Sequence, residues 1–303
     1  MEKLAIIIIN YNNSKKTIEC IDSIWQTYDG DYMIYLLDNA SGDDSASILK
    51  EKYSNCERIR LILSDENLGY ARGNNRCLEM AIEDGFKYAL VSNNDIVFKE
   101  HAIESLLKQV SSGKYLAVGP KILRPDGVVQ KSIKLKRPSF QYYFWHDTYL
   151  QRFVRDKGQD IPNEPTEVYW LSGCLFMFNL HLFKSIGFFD PYTFLFFEEY
   201  IVSEKAFRNG LKLLYYNEAE VVHYHGASMG GPINMVTRKA NWRSESYLIK
   251  EYFGWGVIKC NLLWRLRCLE VKYNLRKEDD RKKIFKDFYK AGKVYVRTGR
   301  VIR

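Results

Sequence analysis

A chain of 303 residues, 46% hydrophobic and 15% aromatic, can bury one large core or a core with an appendage, and is too apolar to be disordered. Six cysteines at 20, 56, 77, 174, 260 and 268 form no CxxC pair, so neither a zinc knuckle nor a disulfide framework is expected. The net charge of +8 is uneven: from Trp255 onward 15 Lys or Arg face 5 Asp or Glu, a local +10 that leaves residues 1–254 at −2. This argues against nucleic acid as a partner and for a basic appendage that meets an anionic surface.

In chain order, Leu4 to Ile9 is a continuous apolar run of the kind found in a parallel strand buried on both faces. The run is too short for the apolar stretch of a secretory leader. No later window reaches the ~18 uninterrupted apolar residues of a spanning helix, so a cytoplasmic location is expected. Asn10 to Ser14 is a polar loop before a helical pattern through Ile18, Ile21 and Trp25. Strands are predicted at Met33 to Leu37, Ile59 to Leu63, Tyr88 to Val91 and Tyr115 to Val118. Helices are predicted near 72–84 and 100–111, and SGDDS is expected to cap a further one. The alternation implies an α/β doubly wound core. After Gly119 the elements shorten, and the aromatic-rich stretch 131–165 reads as a mobile loop. From Trp255, apolar residues at 258, 262, 266 and 269 recur at helical spacing among Lys259, Arg265, Arg267 and Lys272. This reads as a basic helix lying on a membrane, with a helix docked on the core or a dimer contact as the alternative. The division expected is 1–240 for the catalytic domain and 241–303 for a basic helical region.

In open parallel sheets a ligand sits beyond the carboxyl ends of the strands. Asn10, Tyr11 and Asn12 end the first strand and can wrap a nucleotide; a plain strand-end turn is the alternative. Asp38 ends the second, where a carboxylate can accept the N3 hydrogen of uracil or thymine, or simply cap the turn in DNASGDD. NLGYARGNN carries Gly69 and Gly73, which can admit close backbone approach to ribose and diphosphate, or merely start a helix. Asn93, Asn94 and Asp95 follow a strand, and an Asx turn competes there with a metal site. The acidic pair Glu198-Glu199 lies about two dozen residues before His223. A hard divalent cation on a diphosphate wants oxygen ligands and tolerates an imidazole, while a carboxylate outside that set is free to act as a base. Trp170 can stack on a pyranose and Gly173 can leave room for it, although a core strand with a packing glycine fits the same residues.

IIIINYNN (6–13), LLDNASGDDS (36–45), NLGYARGNN (67–75), SNNDIVF (92–98), WLSGCLFMF (170–178), FFEE (196–199) and HYHGAS (223–228) together resemble the family 2 glycosyltransferases. Within that family the closest pattern is the rhamnosyltransferase-like branch that builds bacterial cell-surface polysaccharides. The resemblance implies a GT-A fold, a Rossmann-like nucleotide-sugar-binding sheet with helices on both faces, here with a C-terminal helical extension. It implies inverting transfer from dTDP-rhamnose, or else a UDP-hexose, to a lipid-linked or growing polysaccharide, with Mg2+ or Mn2+ as cofactor. It assigns Asp38 to the base, Asn67, Gly69 and Gly73 to the donor pocket, and Asp95 with His223 to the metal; the spacing to Gly226 selects His223 over His225. Glu199 stands where the family has its catalytic Asp, and Ile201 where a second Asp is usual. Glu198 and Asp190 are expected to orient sugar hydroxyls. Those departures keep a catalytically silent nucleotide-sugar-binding scaffold open as an alternative. A sugar nucleotidyltransferase should instead open with a glycine-rich, arginine-bearing loop, where this chain has NYNNSKK.

Overall fold

The computed structural model describes residues 2–154, 161–224, 235–277 and 280–297. Strands β1 (Leu4–Asn10), β2 (Tyr32–Asp38), β3 (Ile59–Leu63) and β4 (Tyr88–Asn93) pair in parallel in the order β3-β2-β1-β4. Helices α1 (Ser14–Thr27), α2 (Ser45–Tyr53) and α3 (Gly69–Glu83) connect them. The central position of β1 explains its run of four isoleucines, because both of its faces are covered. Ile6 and Ile8 pack with Cys20, Ile21 and Ile24 of α1, while Ala5 and Ile7 pack with Cys77 and Leu78 of α3. Fully burying each of these isoleucine or leucine side chains is worth about 1.5–3 kcal/mol.

Beyond β4 the sheet is mixed. After β5 (Ile96–Phe98), α4 (Ala102–Val110), β6 (Ala117–Leu123), β7 (Ile133–Lys134), α5 (Phe140–His146), β8 (Thr166–Val168) and β9 (Trp170–Leu171), strand β10 (Leu175–Asn179) inserts antiparallel between β4 and β6. Helices α6 (Leu180–Ser185) and α7 (Glu198–Arg208) lead to β11 (Leu213–His223), parallel to β6 and antiparallel to β5. The full order is β3-β2-β1-β4-β10-β6-β11-β5, with β8 on β11. The expected α/β sheet with helices on both faces is present, but β10 breaks the purely parallel winding.

Two expectations change. The stretch 131–165 is no plain loop in its described residues: β7 pairs with β9, α5 follows, and a 3-10 turn spans Tyr149–Phe153. Its aromatic residues find partners, Phe140 meeting Trp255 at 5.3 Å and Tyr149 meeting Tyr273 at 5.7 Å. The basic C-terminal region is also docked. Helices α8 (Met235–Tyr247), α9 (Gly256–Asn274) and α10 (Arg281–Arg297) build a third core around Trp242, Trp264 and Phe288, which includes Tyr143, Tyr200 and Ile201. A Cβ on Gly292 would stand 2.1 Å from the Trp264 ring, so close helix packing requires glycine there. Arg267 pairs with the buried Glu245 at 2.8 Å, and Tyr143 Oη donates to the same carboxylate at 2.8 Å. On α9 the buried face is Cys260, Leu263, Trp264 and Val271, and Leu266 of the expected membrane stripe is buried as well. Ile258, Leu262 and Leu269 stay exposed together.

Candidate active site

The parallel register brings the strand ends into one row: Asn10 faces Asp38 and Ile9 faces Asn93. Asn10 is buried at the centre of a relay. Its Nδ2 donates to Asp38 Oδ1 at 2.7 Å, its Oδ1 accepts from Thr17 Oγ1 at 2.7 Å, and Asn94 Nδ2 donates to that hydroxyl at 2.9 Å. Asp38 also accepts from the Ser41 backbone N–H at 3.1 Å and its hydroxyl at 2.6 Å, the turn-closing pattern weighed against base recognition. The helix α2 cap is Asp44, not Asp38. Asn12 adopts a left-handed φ of 54° and accepts from Gly42 N at 2.7 Å, which laces the first two loops together, while Tyr11 is exposed.

Two residues inside the quoted motifs, given no role there, tie further segments together. Asn39 Oδ1 accepts from Leu68 N at 2.8 Å and its Nδ2 donates to Asn67 Oδ1 at 3.1 Å. Asn75 exchanges both of its amide hydrogen bonds with the Phe189 backbone, at 2.9 and 3.1 Å. Their type and position after a strand or on a helix carried no signal by themselves. Ser41, by contrast, was legible in the Asp-x-x-Ser spacing of a closed turn. Gly69 has φ 71°, and a Cβ there would lie 2.4 Å from the Phe194 carbonyl oxygen. Gly73 has another role than approach to the donor: the space beside it is filled by Ile9 at 2.9 Å and Leu37 at 3.2 Å, so it seats α3 on the sheet.

Asp95 and His223 meet across the β5–β11 edge. Asp95 Oδ1 and His223 Nε2 are buried and 3.2 Å apart, and His223 Nδ1 lies 3.1 Å from Gln130 Oε1. Burial works against protonating His223, but Asp95 and Cys174 beside it outweigh that and raise it to about 10. Without a cation the two therefore form an ion pair; a hard cation that displaced the His223 proton would find a nitrogen beside the Asp95 oxygen, with its remaining ligands supplied by a diphosphate and water. Among the described residues no cluster of three or more His, Cys, Asp or Glu holds a metal unaided. His225 and Gly226 lie outside the described residues.

The acid pair opens α7 after two consecutive left-handed residues, Phe196 and Phe197, with φ of 73° and 67°. Such backbone costs about 1–3 kcal/mol per residue and persists where surrounding structure over-determines it. Tyr70 fixes the segments on either side: its N–H donates to Phe194 O at 2.8 Å and its hydroxyl to Gly173 O at 2.7 Å. Burial raises the Glu198 carboxyl to about 8, with Glu199 adding to the shift, and burial raises Glu199 to about 7. A helix N-terminus favours the charged form by about 0.3–1 kcal/mol, too little to offset burial. Glu198 Oε1 is buried with no hydrogen-bond partner. Ile201, in the place of the family's second Asp, faces the third core and is fully buried. Asp190 Oδ2 accepts from Tyr247 at 2.8 Å and Tyr252 at 2.5 Å, and its Oδ1 from Tyr192 N at 2.9 Å, so its carboxylate anchors the C-terminal region. Trp170 lies against Tyr200, ring centroids 5.4 Å apart.

The family model for glycosyl transferase family 2 matches residues 5–187. The chain is a family 2 glycosyltransferase. The glycosyltransferase is 25% identical, over 92% of its length and 96% of the relative's, to the N-acetylglucosaminyl-diphospho-decaprenol L-rhamnosyltransferase of Mycobacterium tuberculosis. It is 23% identical, over 74% of its length and 67% of the relative's, to the low-salt glycan biosynthesis hexosyltransferase Agl10 of Haloferax volcanii. Its fold matches the crystal structure of GalNAc-T7 with UDP, GalNAc and Mn2+ at a TM-score of 0.60 and 15% identity. That match covers 96% of the glycosyltransferase and 55% of the larger chain, so it establishes the sheet and its helices as a GT-A-like fold. The acid pair and His223 lie beyond the family-model span.

Proposed function

We propose that the glycosyltransferase is a metal-dependent inverting enzyme that moves a sugar, L-rhamnose from dTDP-rhamnose or else a hexose from a UDP-sugar, to a hydroxyl of a lipid-linked saccharide. The observation that carries the chemistry is that consecutive residues link the acid and the cation donors: a Cβ on Gly173 would stand 3.3 Å from Glu199, and Cys174 lies beside His223, which faces Asp95. Mg2+ or Mn2+ held by Asp95 and His223 would supply positive charge against the donor diphosphate. Glu199 accepts the proton of the acceptor hydroxyl as its oxygen bonds to sugar C1. The C1–O bond to the diphosphate breaks on the opposite face and its electron pair leaves with the nucleoside diphosphate. Glu198, with the higher affinity for a proton, is suited to donate to a sugar hydroxyl in its neutral form. Asp38 and Asn10 are the groups proposed for the pyrimidine, with Asn67 and Gly69 shaping the pocket around it. The rhamnosyl and lipid-linked assignments lean on the mycobacterial relative's name.

Among the described residues no helix is long and apolar enough to cross a membrane. A peripheral attachment to the cytoplasmic membrane face through α9 is proposed instead, supported by its exposed Ile258, Leu262 and Leu269 beside Arg265 and Lys272. Turnover of a panel of dTDP- and UDP-sugars with short-chain lipid-diphosphate acceptors, in Mg2+, Mn2+ and excess chelator, tests the reading. Chelator-sensitive transfer supports it. Nucleotide binding without transfer to any acceptor would support the silent scaffold.

A further inference from the structure

We infer that the cavity under the 131–153 segment seats the head of the acceptor, with its sugar on Trp170 and Tyr200 and the diphosphate that joins it to lipid on Lys131 and Lys134. The inference rests on the proposed transfer to a lipid-linked saccharide and assigns that substrate a place. The cavity encloses about 400 Å3, within the range of roughly 300–1,000 Å3 usual for small-molecule sites. Phe197 and Tyr200 line it, and these are the residues on either side of Glu198 and Glu199 in the chain. A sugar on this floor therefore lies beside the turn that carries the base.

The floor suits a pyranose. Trp170, Tyr200 and Phe197 form a tilted aromatic surface, with centroid spacings of 5.4 and 5.8 Å, onto which the C–H face of a sugar can pack. The Trp170 indole N–H is buried with no hydrogen-bond partner. A buried donor left unmade costs about 1–3 kcal/mol. The sequence expects Trp170 to stack on a pyranose, and its neighbours place that stacking face in this cavity.

The wall suits a diphosphate. Lys131, Lys134 and His146 line it, and among the described lining residues Asp147 is the carboxylate beside them. Lys134 Nζ lies 2.7 Å from Asp147 Oδ1 and within 5.9 Å of the Tyr200 ring centroid, which fixes the ammonium over the floor. An ammonium has three donors, so holding Asp147 leaves capacity for phosphate oxygens. The donor's own diphosphate has a separate place, beside Asp95 and His223. Lipid is favoured over a soluble sugar diphosphate by the exposed Trp145 and Phe153 on the same segment, which runs along α9 through the Phe140–Trp255 and Tyr149–Tyr273 contacts.

The test is calorimetric titration of the full chain with farnesyl-diphosphate-linked N-acetylglucosamine, and separately with UDP and dTDP. Lys131 is exposed, so K131A and K131E keep the fold even if K134A does not. The inference expects tenfold or greater weakening of the farnesyl-diphosphate sugar in K131E and K134A, with nucleotide affinity retained, and weakening of the sugar in W170F. Inorganic pyrophosphate competing as well as the farnesyl compound would overturn the sugar and lipid parts. Nucleotide affinity falling instead would reassign the cavity to the donor. Wild-type protein that binds nucleotide but not the farnesyl compound would overturn the inference alone; transfer to no acceptor at all would overturn the proposed function.

Discussion

A Cβ on Gly173 would stand 3.3 Å from both the Cβ and Oε2 of Glu199. The glycine thus reserves the space in which the acid at the start of α7 sits, and Tyr70 holds the Gly173 carbonyl in place. Gly173→Ala needs a shift of a few tenths of an ångström, and Gly173→Val a larger one. A misplacement near 1 Å can cost ~10²-fold in rate. The expected series is a modest loss of kcat for Ala and about 10²-fold for Val, with nucleotide Kd little changed. Equal loss of nucleotide binding would show that the glycine serves the donor pocket instead.

The acid pair gives the reaction a pH signature. Glu199 must be ionised to take a proton, and burial lifts it to about 7. Turnover should rise with pH through that value, and Glu199→Gln should lower it roughly 10²-fold or more and flatten the limb, because an amide keeps the shape but takes no proton. Near-normal turnover in that variant transfers the role to Glu198. The two carboxyls interact, so the limb reports the pair and not one residue.

Glu198 makes a separate statement about stability. Its carboxyl titrates near 4.5 when exposed and is raised to about 8 in the fold, so the native state binds more protons than the unfolded state between those values. The stability this provides is present below about 4.5 and is lost as pH rises through about 8. Glu198→Gln removes the titration. Thermal melts from pH 5 to 9 should show the variant gaining on the wild type as pH rises. A constant offset across the range would mean that the ionised carboxylate finds compensation in the fold.

The strand and helix pattern was legible to within a few residues because β1, β2 and β4 are buried on both faces and read as continuous apolar runs. Asn10, Asp38 and Asp95 were legible for a related reason: they stand at strand ends, where polar residues interrupt those runs. What was hidden depended on long-range contacts. Asn39 and Asn75 look like ordinary polar residues until their partners at Leu68 and Phe189 are known. Asp190 reads as a site acid until Tyr247 and Tyr252 occupy it. The aromatic stretch around Phe140 reads as a loop because its packing partner, Trp255, lies more than a hundred residues away in the chain.

The last prediction concerns α9. At 100° per residue, Ile258, Leu262, Leu269 and Tyr273 share one stripe, with Arg265 and Lys272 along its edge, opposite the buried face of Leu263, Trp264 and Val271. Deleting the helix would open the third core around Trp242 and Ile201, so truncation confuses folding with attachment. Surface substitution separates them: Ile258 is 86% exposed and Leu269 55% exposed, so I258E/L269E removes the stripe without touching packing. Each Lys or Arg near an anionic bilayer adds ~1 kcal/mol of attraction, and the apolar stripe adds burial in the interface. Wild type should therefore sediment with phosphatidylserine-containing vesicles and release with salt, while I258E/L269E stays largely in solution with an unchanged melting temperature. Equal partitioning of both proteins would reject attachment through α9. A wild-type dimer in solution that I258E/L269E dissociates, with neither protein on vesicles, would assign the stripe to a second copy of the chain.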